Sequence, residues 1–351
     1  MNMYSLLKSM KEKGASDLHI VPGIPPVFRV NGALMVSEEE RITPEQSKSL
    51  IYSLVNEEQK ARFEKSREMD FSFGVSEVGR FRINAHYQQR SVAGAIRLIP
   101  YDIPSLSELN LPPVLADLAL KQKGLILVTG PTGCGKSTTL AAMVEIINEK
   151  RACHIIIIED PIEYLHSHKK SIVEQREVGE DTLSFAGALK YALRQDPDVI
   201  MIGEMRDLET IATAITAAET GHLILATLHT PDAPQSIDRI IDVFPPHQQP
   251  QVRTQLSSAL QAIMSQRLLP RKDAQGRIPV VELLMATSAV SNLIRSNKVY
   301  QLYTVMETGA KFGMQTMDQA LRDLVKRGQV SLSVALEMAR DPKNLRESLK
   351  G

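Results

Sequence analysis

Gly130-Pro131-Thr132-Gly133-Cys134-Gly135-Lys136-Ser137-Thr138 is the stretch that decides how the rest of this chain reads. It satisfies the spacing G-x-x-x-x-G-K-[ST], with Gly130 and Gly135 bracketing a loop that Lys136 and Ser137 close. The short apolar run Leu125 to Thr129 precedes it, and Leu140 to Ile147 after it reads as helix. Gly133 and Gly135, with Gly130 as a further candidate, let the backbone take conformations that a β-carbon blocks. Successive N–H groups then turn inward, as a phosphate requires. The helix beginning near Lys136 adds the positive end of its dipole. Lys136 is placed to reach the β- and γ-phosphates of a nucleoside triphosphate, and the Ser137 hydroxyl is a natural ligand for the accompanying Mg2+. Residues 130–138 as a whole are the expected nucleotide-binding segment.

The composition sets bounds around that loop. A chain of 351 residues has room for two domains with separate cores. Its 41 basic and 41 acidic residues balance, which argues against direct nucleic-acid binding. Cys134 and Cys153 are its only cysteines, too few for a disulfide framework and suited to a reducing cytosol. The N-terminal residues lack the apolar core of a signal peptide, and no stretch approaches the ~20 apolar residues of a membrane span, so membrane association is expected only through partners.

Upstream, Tyr4 to Lys13 reads as a short helix, SDLHIV and PVFRVNGAL as strands with a turn at Asn31-Gly32, and helices are expected from near Thr43 and Asn56. Between Met69 and Ile99 the period is two, as in three antiparallel strands. A hairpin centred on Gln89-Arg90 pairs residues whose numbers sum to 179 and sets Arg82 opposite Arg97. Like charges facing each other across a ladder are unfavourable. Two readings stand: the pair faces a phosphate that neutralises it, or both arginines are solvated or paired with carboxylates. The proline-rich stretch from Pro100 to Pro113 is an expected linker.

Downstream, four consecutive isoleucines in His154 to Ile158 mark a strand covered on both faces. Strands near Asp198 to Ile202 and Leu223 to Leu228 alternate with helices near Ser184 to Arg194 and Leu208 to Glu219, the pattern of a doubly wound α/β core. Ligands of such cores bind at the carboxyl ends of the strands. The acids Glu159, Asp160 and Glu163 follow one strand there and read equally as metal or water ligands and as surface carboxylates. Glu204 follows the next, where P-loop ATPases carry an acid that holds the magnesium shell or orients the attacking water. His229 ends a third, either sensing the γ-phosphate or packing a loop. Beyond Pro231 the chain is expected to be helical around 234–243, 248–264, 287–295 and 333–340, with one strand over 278–284.

Several stretches resemble the type IV pilus retraction ATPases, the PilT/PilU branch of the secretion-ATPase superfamily: ASDLHI with PPVFRVNG, GPTGCGKSTTLAAM, IEDPIEY, the long REVGEDTLSF…DVIMIGEMRD segment, TAAETGHLILATLHT, IDRIIDVFPP and GMQTMDQAL. The resemblance implies a PAS-like α+β domain over residues 1–100, a linker over 101–113, and a RecA-like ATPase domain over 114–351 with a helical C-terminal part. It implies a homo-hexamer with ATP and Mg2+ as cofactors, acting from the cytoplasm at the base of the pilus on an inner-membrane platform protein. It also implies roles for Lys136, Glu163, Glu204 and His229, with magnesium contacts by Ser137 and by Glu204 or Glu163 through water, and it favours phosphate contacts by Arg82 and Arg97. The segment AVSNLIRSNK, Ala289 to Lys298, departs from the family's AIRNLIREGK, which makes an accessory retraction paralogue one alternative and a possible partner class. A ring-shaped nucleic-acid translocase on the same core is another.

Overall fold

The computed structural model describes residues 2–30, 32–75, 78–99 and 103–350. Asn31 of the expected turn, and residues 100–102 at the start of the expected linker, lie outside the described residues. The chain forms two compact units, Met1–Asp102 with Glu163–Leu165, and Ile103–Ile162 with His166–Gly351.

In the first unit, helix α1 (Met3–Glu12) precedes strands β1 (Ala15–Ile20), β2 (Val27–Val30) and β3 (Ala33–Val36). Helices α2 (Pro44–Tyr52) and α3 (Glu57–Ser66) follow, then β4 (Glu68–Val75), β5 (Gly79–Gln88) and β6 (Ser91–Ile99). Both helices start at capping boxes, Thr43 with Gln46 and Asn56 with Gln59, each joining two otherwise orphaned N–H groups to side chains. The strands pair as one antiparallel sheet in the order β3-β2-β1-β6-β5-β4. Alternation along β5 sends Phe81, Ile83 and Ala85 into the core and Arg82 and Asn84 outward. Gln89 and Arg90 both have positive φ, 46° and 64°, as a two-residue primed turn needs. The ladder therefore closes in the register read from sequence, with Arg82 opposite Arg97.

The second unit begins with α4 (Val114–Ala119), β7 (Gly124–Thr129), α5 (Lys136–Lys150), β8 (His154–Glu159), β9 (Ile172–Glu177), α6 (Phe185–Ala192), β10 (Val199–Ile202), α7 (Leu208–Glu219) and β11 (Leu223–Leu228). It continues with α8 (Ala233–Asp242), α9 (Gln249–Ala259), β12 (Leu260–Pro270), β13 (Arg277–Met285) and α10 (Ser288–Arg295), and ends in short helices including α11 (Leu302–Thr308), α12 (Met317–Lys326), α13 (Leu332–Met338) and α14 (Pro342–Ser348). Seven strands form a sheet in the order β13-β12-β7-β11-β10-β8-β9, parallel except for β13. Both faces are covered. Leu125 and Leu127 of β7 join a cluster with residues of α6, α7, α8 and α9, whereas Ile126 and Val128 join one with α4 and α5. That double burial is why the central strands read as unbroken apolar runs.

Two departures from the sequence reading shape the site. The helix expected over 248–264 ends at Ala259, and Leu260 turns the chain into β12, which lies parallel beside β7. Leu260-Gln261-Ala262-Ile263-Met264 is apolar on both sides when extended, with Ala262 and Met264 buried in one cluster and Leu260 and Ile263 in the other, so periodicity could not tell strand from helix. The edge strand β9 was not expected either, because Ile172 to Glu177 mixes charged and apolar residues along a half-exposed edge. Among the described residues, no helix is long and apolar enough to cross a membrane.

Candidate active site

The glycine loop leaves the carboxyl end of β7 and runs straight into α5, whose N-cap is Gly135 at φ 92°. No side chain caps this helix, so its first N–H groups are left to the loop's concave side. Gly130, at φ 138°, sits so close to β12 that a β-carbon there would lie 2.3 Å from the Gln266 carbonyl oxygen. The Lys136 ammonium is buried in the curl of the loop, donating to the carbonyls of Gly130 (2.8 Å) and Pro131 (3.2 Å). Pro131, Thr132 and Gly133 form the exposed crest, while Ser137 and Thr138 stand half-buried on the first turn of α5. Cys134 is buried and burial pushes its thiol up, so it behaves as a packing residue rather than a nucleophile. The loop thus needs glycine at 130 and 135, where a β-carbon would strike Gln266 of β12, and it curls around one buried ammonium, a fit to an anionic polyphosphate.

β7, β11, β10 and β8 are successive neighbours and run parallel, so their carboxyl ends share one edge. Beyond β10 the chain is strapped to both neighbours: the Gly203 N–H donates to Ile158 O at 2.7 Å, and the Thr227 hydroxyl donates to Gly203 O at 2.5 Å. That bracing sets Glu204 in place. Its Oε1 lies 2.6 Å from Arg206 Nε and 3.2 Å from His229 Nε2. His229 Nδ1 in turn lies 3.5 Å from the Thr132 hydroxyl. A polar chain therefore runs from Arg206 through Glu204 and His229 to the loop. Burial pushes the Glu204 carboxyl up, but the hydrogen bond from Arg206 and the charge of His229 outweigh it and hold the carboxyl below its ordinary value. An ionised, weakly basic carboxylate in this position orients water or a cation's hydration shell more readily than it takes a full proton.

The fold brings together residues 130–138, Glu204 and His229, all in the second unit. Glu159, at the tip of β8, is buried beside Gly203, whose β-carbon position lies 3.2 Å from the Glu159 Cα. Glu163 falls in residues 163–165, which group with the first unit. Arg82 and Arg97 also belong to the first unit, opposite each other on exposed positions of β5 and β6. Arg97 Nε donates to Asp17 Oδ1 at 2.8 Å, across from it on β1, so a carboxylate already relieves part of that like-charge pair. Among the described residues Arg82 has no ion pair.

Two participants escaped the sequence reading. Arg206 was visible in GEMRD, two residues beyond the acid, but nothing in spacing alone says that it turns back onto Glu204. Gln266 was hidden by the helix expected over its approach; from β12 it bonds the Cys134 carbonyl at 2.7 Å and the Thr139 hydroxyl at 2.8 Å.

A mostly parallel sheet, helices on both faces, and a glycine loop with acid and histidine at neighbouring strand tips define a RecA-like α/β protein of the P-loop class. Residues 3–337 match the type II/IV secretion system protein family, and the chain belongs to it. It is 47% identical over 344 residues to the type IV pilus retraction ATPase PilT of Pseudomonas aeruginosa, covering 98% of this chain and 100% of that one. Identity to the type IV pilus ATPase PilU of the same organism is 46% over 350 residues, covering 100% and 92%. A crystal structure of the pilus retraction motor PilT with bound ADP superposes with a TM-score of 0.93 at 50% identity, over 99% of both chains.

Proposed function

We propose that this chain is a magnesium-dependent ATP hydrolase that powers type IV pilus retraction. The observation that carries the chemistry is the polar chain Arg206–Glu204–His229–Thr132 ending on the glycine loop. Backbone N–H groups of 130–135 and Lys136 bind and charge-neutralise the phosphates. Glu204 orients the attacking water in line with the γ-phosphate, and His229, tied to both Glu204 and the loop crest, reads the presence of that phosphate. Among the described residues no group of three or more His, Cys, Asp or Glu side chains could hold a metal ion. The proposed magnesium ligands are therefore Ser137 and, through water, Glu204 or Glu163, together with triphosphate oxygens; the ion would spread the charge that builds on those oxygens. Arg82 and Arg97 are assigned phosphate contacts within an assembled ring.

Support for the cellular role comes from the full-length likeness to PilT and its ADP-bound structure. In this reading the chain is a homo-hexamer with a PAS-like domain over residues 1–100, a linker over 101–113 and a RecA-like ATPase domain over 114–351, working in the cytoplasm at the inner-membrane pilus base on the platform protein. Near-equal identity to PilT and PilU favours one second reading, an accessory paralogue acting with a principal motor. Deleting the gene and scoring surface pili and twitching tests both. Hyperpiliated, non-motile cells support the principal motor, normal piliation with weakened motility supports the accessory role, and bald cells contradict retraction.

A further inference from the structure

Gln266 is 3% exposed and its amide is committed at both ends. Only the amide nitrogen can meet the Cys134 carbonyl, 2.7 Å away, which leaves Oε1 to accept from the Thr139 hydroxyl at 2.8 Å. Both partners belong to the glycine loop and the first turn of its helix. The fit is close on either side, since a β-carbon at Gly135 would come within 2.9 Å of Gln266 Nε2, and one at Gly130 within 2.3 Å of its carbonyl oxygen.

A trans peptide is planar, with its C=O and N–H antiparallel, so the C=O of Cys134 and the N–H of Gly135 point in opposite directions within one plane. Drawing the carbonyl toward the Gln266 amide turns the N–H away from that amide. We propose that Gln266 is a positioning residue for nucleotide binding, fixing the Cys134–Gly135 peptide so that its N–H faces a phosphate oxygen. Thr139 sets which way the amide faces, and with it the direction of that N–H. The role rests on the nucleotide site proposed above.

The test uses the full chain with five substitutions, of which Lys136→Ala is the control. Gln266→Met keeps the length and loses both hydrogen bonds. Gln266→Glu keeps the shape but presents a carboxylate oxygen to the Cys134 carbonyl, and regains a donor when protonated. Thr139→Val frees Oε1 alone, with Thr139→Ser as its conservative rescue. ADP affinity is measured by calorimetry, and KM and kcat by phosphate release, between pH 5.5 and 8. For Gln266→Met, ADP binding is expected to weaken at least about tenfold, the scale of one hydrogen bond to a charged group, with KM rising alike and saturating kcat within about threefold of wild type. Gln266→Glu is expected to bind worst at pH 8 and to recover as pH falls, while wild type does not; Thr139→Val follows the KM-led pattern more weakly and Thr139→Ser restores it. Binding by Gln266→Met within about twofold of wild type overturns the positioning role, as does a lowered kcat at unchanged KM, the signature of a partly misfolded sample. Lys136→Ala separates the two layers. If wild type binds ADP and Lys136→Ala does not, normal binding by Gln266→Met refutes only the positioning role; a wild-type chain that binds no ADP refutes both.

Discussion

Alanine at Gly130 and at Gly133 should separate the two things glycine does in the loop. At Gly133, φ is 77° and a β-carbon would meet nothing within 4 Å, so alanine adds only the strain of a left-handed residue, about 1–2 kcal/mol. At Gly130, φ is 138° and the added carbon would lie 2.3 Å from the Gln266 carbonyl oxygen and 2.8 Å from the Cys134 sulfur. The sulfur can rotate away. The carbonyl cannot easily retreat, because β12 is paired on both sides, with β7 and β13. Backbone strain of about 1–3 kcal/mol then adds to overpacking of about 1–3 kcal/mol. The loop is expected to escape by leaving its phosphate-binding shape while β7 and α5 stay folded, so the cost falls on affinity rather than on melting. At roughly 1.4 kcal/mol per tenfold, Gly133→Ala weakens ADP binding about 5- to 30-fold and Gly130→Ala by about 30-fold or more. Calorimetric titration with ADP, with circular dichroism as the check on folding, measures both. Binding by Gly130→Ala within threefold of wild type, or Gly133→Ala as the weaker binder, would refute the reasoning.

Two further predictions concern titration. Glu282 on β13 is 1% exposed and accepts the Ala233 N–H at 2.9 Å, and burial pushes its carboxyl up to about 7. Its folded value exceeds the ordinary one near 4.5, so the native state holds a proton that the unfolded chain releases. Stability is therefore fullest below about pH 4.5 and falls as pH rises to about 7, by roughly 3 kcal/mol in all; urea unfolding of Glu282→Gln should lack that slope, and parallel pH dependence of wild type and variant would contradict it. At the acid, Arg206→Ala removes the hydrogen bond that does most to hold Glu204 down against burial. The acid limb of the kcat profile should shift to higher pH in this variant, whereas an unmoved limb would mean that the Glu204 carboxylate does not limit turnover.

The parts legible in the sequence are those that local chemistry dictates. The glycine loop needs its own spacing and flanks, and the Gln89-Arg90 turn fixes the Arg82–Arg97 register without reference to the rest of the chain. The four strand tips followed from apolar runs that parallel, doubly covered strands must have. What stayed hidden depends on long-range pairing. Leu260 to Met264 suits either helix or strand until β7 offers a partner edge, and only that pairing carries Gln266 to the loop. Arg206 was readable as a charge but not as a partner, because its direction depends on the turn that Gly203 makes against Ile158 and Thr227. Asp17 lies 80 residues from Arg97 in sequence, and only the placement of β1 beside β6 shows that this carboxylate reaches it.

The most direct measurement compares nucleotide binding with turnover in purified Glu204→Ala, beside Lys136→Ala and wild type, with magnesium present. Glu204 lies at the strand edge, bonded to Arg206 and His229, while Lys136 is enclosed by the loop carbonyls. Removing the acid should therefore spare binding and abolish water activation, and removing the ammonium should lose both. The expected result is near-wild-type affinity for ATP with phosphate release reduced at least about 100-fold in Glu204→Ala. Phosphate release at the wild-type rate by Glu204→Ala would contradict it.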